Sequence, residues 1–161
     1  MSGAARLIDA ALLDALSVEA AASPRRRKNR NFHPSDDFVA HRLLNAVEPG
    51  SYVQPHRHRA ADKDETMVEL RGRFALLLFD DAGKVTQRVL LQADGPVRGI
   101  DIPHGTWHTL FALEPGSIFF EAKAGPYVPI SSAEKATWAP AENDTQDAEL
   151  QLAEWRRLFH V

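Results

Sequence analysis

From Phe38 onward the sequence is a succession of short β-prone runs separated by turn residues, and this spacing limits the possible folds more than any other feature. The runs are Val39–Val47, Ser51–His58, Glu65–Arg71, Phe74–Phe79, Val85–Leu91, Gly99–Ile102, Thr106–Leu113 and Ile118–Ala124. Glu48-Pro49-Gly50, Asp80-Asp81-Ala82-Gly83 and Glu114-Pro115-Gly116 punctuate them. About eight strands at this spacing predict an all-β fold, an antiparallel sandwich or barrel. No helical pattern inside the region is long enough for a parallel crossover, which excludes a Rossmann-type sheet. In Asp81-Ala82-Gly83 the glycine supplies the positive φ of a hairpin turn. Phe74-Ala75-Leu76-Leu77-Leu78-Phe79 is apolar on both faces. Such a strand must be covered on both sides, by a second sheet or by a partner subunit.

Helical patterns flank this region. Ile8, Leu12, Ala15, Leu16 and Glu19 form a partial stripe within Ile8–Ala22, and Ser23-Pro24 ends it. Ala148, Leu152, Trp155 and Phe159 form the stripe of a second helix over Asp144–Phe159, with Asp144 or Thr145 as its cap. A chain of 161 residues fits one domain. Its expected organisation is a helix and basic segment over 1–37, a barrel over 38–128 and an extension with a helix over 129–161. The apolar strand and two helices offer more apolar surface than one small barrel hides, so a homodimer is expected.

Composition removes several function classes. With no cysteine, thiolate nucleophiles, disulfides, Zn–Cys sites and iron–sulfur clusters are excluded, and a metal would fall to the 7 histidines and the carboxylates. The net charge of −3 argues against a nucleic-acid partner. The longest apolar run, Phe74–Phe79, is far below the ~20 residues of a membrane span. Arg6, Asp9 and Asp14 interrupt the N-terminal apolar residues, so the start does not read as a signal peptide, and a cytoplasmic location is expected.

The chemistry-bearing residues lie in two separated segments. In Pro55-His56-Arg57-His58, alternation turns His56 and His58 to one face of a strand. Glu65, at the start of the next strand, adds a hard oxygen. A lone His-x-His is often a solvated pair. The second segment, Ile102-Pro103-His104-Gly105-Thr106-Trp107-His108, delivers His108 from another strand, and two such deliveries are much harder to obtain by chance. Three histidines and one glutamate make a cage for one divalent metal with open positions. Fe, Mn, Ni, Co and Zn all suit such a donor set.

Gly50, His56-Arg57-His58, Glu65 and Gly72 resemble the first motif of the cupin superfamily, and Pro103-His104-Gly105-Thr106-Trp107-His108 resembles its second. The chain also resembles the WbuC family of cupin-fold metalloproteins. Ser23-Pro24-Arg25, Arg27-Lys28-Asn29-Arg30-Asn31-Phe32-His33, His41-Arg42-Leu43-Leu44-Asn45, Leu70-Arg71-Gly72-Arg73 and Phe120-Glu121-Ala122-Lys123-Ala124-Gly125-Pro126-Tyr127 carry that resemblance. It implies a cupin-type antiparallel β-barrel (jelly roll) with short N- and C-terminal helices. It also implies a bound metal and an association with surface-polysaccharide (O-antigen) gene clusters, with no settled reaction.

Further candidates follow. Glu69 shares a strand face with Glu65 and is the candidate catalytic acid or base; the alternatives are a solvated side chain or a pairing with arginine. Glu121 and Lys123 share a face beside Tyr127 and are candidate substrate contacts; the alternative is an exposed ion pair. The run Arg25-Arg26-Arg27-Lys28-Asn29-Arg30 is either a solvated surface or an anion site, with Arg27 and Arg30 as its forks and His33 added by the family motif. The expected function is action on a sugar or sugar-phosphate as small-molecule ligand. A non-enzymatic metal-dependent sugar-binding or sensing protein and a non-haem iron oxygenase are the alternatives.

Overall fold

The computed structural model describes residues 4–160. Helix α1 (Ala10–Ala22) is followed by strands β1 (Arg27–Asn31), β2 (Ala40–Val47), β3 (Glu65–Arg71), β4 (Arg73–Phe79), β5 (Val85–Gln92), β6 (Gly99–Ile102), β7 (Trp107–Ala112) and β8 (Ser117–Ala124), then by helix α2 (Thr145–Arg157). The strands form two antiparallel sheets, ordered β1-β2-β8-β3-β6 and β5-β4-β7. The expectation of a mostly β, antiparallel fold with two helices holds, as two facing sheets.

Strand alternation separates the layers. Val47, Met67 and Phe119 of the larger sheet meet Phe74, Leu76, Leu91 and Leu110 of the smaller one in a shared core. On the outer side of the larger sheet, Leu44, Ala46 and Ile118 pack against Leu16 and Ala20 of α1. On the outer side of the smaller sheet, Ala75, Leu77, Phe79 and Phe111 pack with Ala148, Leu152 and Trp155 of α2. Both faces of β4 are therefore covered within the chain, one by the facing sheet and one by α2. The apolar run gives no reason to invoke a partner subunit.

Local chemistry explains the element boundaries. Asp9 caps α1 by accepting from the Leu12 N–H, and Asp144 caps α2 by accepting from the Asp147 N–H. The stripe expected for α2 is the face that packs. Gly72, at φ +79°, carries the chain from the larger sheet into the smaller one, and a Cβ there would collide with Ser117.

Two expectations need correction. The basic run is part of the larger sheet: Arg27–Asn31 is β1, paired in register with Leu43–Val47 of β2, with Lys28 and Asn29 exposed on it. Residues 51–58 form no regular strand; His56 alone bridges, to His108 and to Lys135. Among the described residues no helix is long and apolar enough to cross a membrane.

Candidate metal centre

His56 and His108 face each other as a mutually bonded antiparallel pair: the His56 N–H donates to His108 O at 3.0 Å and the His108 N–H to His56 O at 2.9 Å. Directly opposed residues on antiparallel chains hold their Cβ atoms close, and the two rings sit with centroids 4.5 Å apart. Alternation sends Arg57 the other way, over the Trp107 ring and onto Asp81, and brings His58 back to the side of His56. Glu65 enters from β3 in the facing sheet. One ligand atom from each of His56, His58, Glu65 and His108 lies within 4.8 Å of every other.

Hydrogen bonding aims these atoms. His56 Nδ1 is 3.1 Å from Gln54 O and His108 Nδ1 is 2.9 Å from Thr106 O. A carbonyl can only accept, so each ring carries its proton on Nδ1 and turns a bare Nε2 lone pair toward the cluster. His108 Nε2 and Glu65 Oε1 are both buried without a hydrogen-bond partner. Burial, and next the neighbouring His108, push the His56 pKa down to about 3, so that imidazole stays neutral and able to ligate. Imidazole nitrogens, a carboxylate and orphaned buried atoms facing one point are what a divalent cation requires. The donor set fits one metal ion.

The cluster lies in the wall of a cavity of about 580 Å³ between the sheets. Glu121 and Lys123 of β8 line it beside the cluster, with Asn45 of β2 behind them. Asn45 Nδ2 donates to Glu121 Oε2 at 2.9 Å, and Lys123 Nζ lies 3.1 Å from Glu121 Oε1. Met67, Leu110 and Phe119 form an apolar wall, and Tyr127 stands exposed at the rim.

The other expected site residues fall elsewhere. Glu69 shares the inward face of β3 as expected, yet it does not line the cavity. It sits beyond Met67, opposite Phe119 at the apolar end of the interior, with both carboxylate oxygens lacking a hydrogen-bond partner. It is neither solvated nor paired with arginine. Burial pushes its pKa up to about 9, with the nearby Arg71 amide opposing. Arg27 lines the cavity, but Glu142 holds its guanidinium at 2.7 Å and also takes Arg25. Arg30 pairs with Glu19 of α1, and His33 stacks on His41 with centroids 3.9 Å apart; neither lines the cavity. The sequence offers the acidic stretch Glu142, Asp144, Asp147 and Glu149 as a structural partner of the basic cluster, and Glu142 is the member that takes Arg25 and Arg27, the latter across 115 residues. Reasoning from sequence missed Asn45, whose inward face follows from the β2 alternation.

A family model described as a domain of unknown function (DUF6016) matches residues 8–91, just over half of the chain. None of the curated proteins matches the chain. Among solved structures, KdgF from Halomonas sp. is 20% identical with a TM-score of 0.50, covering 66% of this chain and 85% of that one. The capsular polysaccharide assembling protein CapF from Staphylococcus aureus is 17% identical with a TM-score of 0.51, and the alignment covers 63% of this chain but only 27% of CapF. A cupin-2 domain containing protein from Shewanella frigidimarina aligns at 23% identity and a TM-score of 0.45, over 61% of this chain and 80% of that one. The likeness to KdgF and CapF lies in the fold, an antiparallel β fold shared with this chain.

Proposed function

Since the chain belongs to the family described as a domain of unknown function (DUF6016), its activity must be read from its site, and we propose a cupin metalloenzyme that binds one divalent ion through His56, His58, Glu65 and His108 and acts on a sugar or sugar-phosphate. The observation that carries this reading is the convergence of four ligand atoms within 4.8 Å at the wall of a cavity large enough for a small ligand. The resemblance to the WbuC family and the fold shared with a capsular polysaccharide assembling protein support a role in surface-polysaccharide (O-antigen) chemistry.

When bound, the ion would supply Lewis-acid polarisation of a carbonyl or hydroxyl oxygen. The chain's own residues do the rest. Glu121 is the cavity carboxylate placed to accept a proton, with Asn45 fixing its Oε2 and Lys123 its Oε1. It takes the role expected for Glu69, which is shut away from the cavity. Met67, Leu110 and Phe119 exclude water from the inner wall. Tyr127 offers a ring face at the rim for a sugar to stack on.

Incubating metal-loaded protein with a panel of sugars and sugar-phosphates, followed by proton NMR, tests the reading. It expects one of them to be converted by the wild type and not by Glu121→Gln. Specific binding without any conversion would replace the enzyme with a binding or sensing protein.

A further inference from the structure

Lys123 Nζ lies 3.1 Å from Glu121 Oε1, 3.4 Å from Glu65 Oε2 and 3.4 Å from His58 Nε2. An ammonium has three N–H donors and no acceptor, so these contacts account for all three. Two go to carboxylates. The third goes to the imidazole nitrogen that faces the cluster, 3.5 Å from Glu65 Oε1. In the tautomer with its proton on Nδ1, which the Lys123 contact favours, that nitrogen has one lone pair. It can accept from Lys123 or ligate a metal, and it cannot do both.

Charge follows the same logic. Glu65 and Glu121 against Lys123 give the immediate surroundings a formal charge of −1 with neutral imidazoles, and a divalent ion changes this to +1. Before loading, the two carboxylates beside Lys123 repel an anion at that point and Lys123 has no donor to offer. After loading, one N–H of Lys123 is released beside the metal and the surroundings attract a single negative charge.

From this we infer that Lys123 is a metal-gated recognition residue for a carboxylate: it donates to a monoanionic ligand only once His58 has been taken by the metal. A monoanion matches the charge of +1; a phosphate dianion exceeds it. Lys123 is suited to this as a compact cation held between two carboxylates. The inference rests on the metal site proposed above.

Acetate and inorganic phosphate are the probes, titrated into metal-free and cobalt(II)-loaded protein by calorimetry and visible absorption, with metal content measured on every sample. Acetate should bind the loaded protein and leave the metal-free protein silent. Lys123→Met should keep its metal and bind acetate at least about tenfold more weakly, a change of ~1.4 kcal/mol. Glu121→Gln removes the carboxylate that competes for Lys123 and should tighten acetate binding several-fold. Equal acetate binding with and without metal overturns the gating. Unchanged acetate affinity in metal-loaded Lys123→Met overturns the role of Lys123, and phosphate binding tighter than acetate overturns the ligand class. If Lys123→Met loses its metal, Glu121→Gln decides, and unchanged or weaker acetate binding there sinks the idea. A wild type that takes up no metal brings down the metal site first and this inference with it, an outcome told apart by metal content alone.

Discussion

Glu65 Oε1 lies 2.7 Å from His108 Nε2, and neither buried atom makes a hydrogen bond. The His108 proton is committed to Thr106 O on the other side of the ring. Two lone-pair-bearing atoms turned toward each other at that distance repel unless a cation stands between their axes. The arrangement is a liability for folding alone and an asset for ligation.

Glu65→Gln keeps the size of the side chain and removes its charge. Metal affinity, measured by competition with a chelator, should fall by at least about tenfold while the fold is kept. Unchanged affinity would reduce the site to its three histidines.

Glu69 predicts a specific dependence of stability on pH. Its folded pKa, about 9, stands above its ordinary value of 4.5, so the folded state holds the proton more tightly than the unfolded chain. The stability it contributes is fully present below pH 4.5 and is lost as pH rises toward 9. Glu69→Gln cannot ionise and escapes that loss. In urea unfolding the variant should gain on the wild type with rising pH, by up to about 1.4 kcal/mol per unit. A difference that stays flat between pH 5 and pH 8 would show that Glu69 finds a partner.

The basic segment separates into unequal contacts. Arg27 is only 18% exposed in its side chain, while Arg30 and Glu19 are 40% and 43% exposed. Arg27 also donates to the Tyr52 carbonyl at 2.9 Å. Chemical denaturation should find Arg27→Ala costing about 1–3 kcal/mol, because it leaves the Tyr52 carbonyl without its donor and Glu142 with the exposed Arg25 alone. Arg30→Ala should cost no more than about 1 kcal/mol, as surface ion pairs do. Equal losses would contradict this assignment.

What could be read from the sequence follows physical range. The β3 boundaries, the α2 stripe and the clustering of His56, His58, Glu65 and His108 depend on alternation, helical period and motif spacing, which are local properties. The strand formed by Arg27–Asn31 defeated the reading because five polar residues carry no alternation; pairing with β2 decides it. The burial of Glu69 was open for a related reason. Alternation gives the face of a strand but not which end of that face is wet. Lys123 was recognisable as a cavity residue, but its link to Glu65 is a register relation between β8 and β3. The cover over β4 likewise needed the path of the chain back to α2.

The central claim is that four side chains hold one divalent ion, and metal analysis by mass spectrometry tests it most directly. Protein purified without an affinity tag should carry about one ion per chain, as a single mononuclear site requires. His56→Ala combined with His58→Ala should bring that content to background with the circular dichroism spectrum unchanged. Full metal content in the double variant would contradict the account.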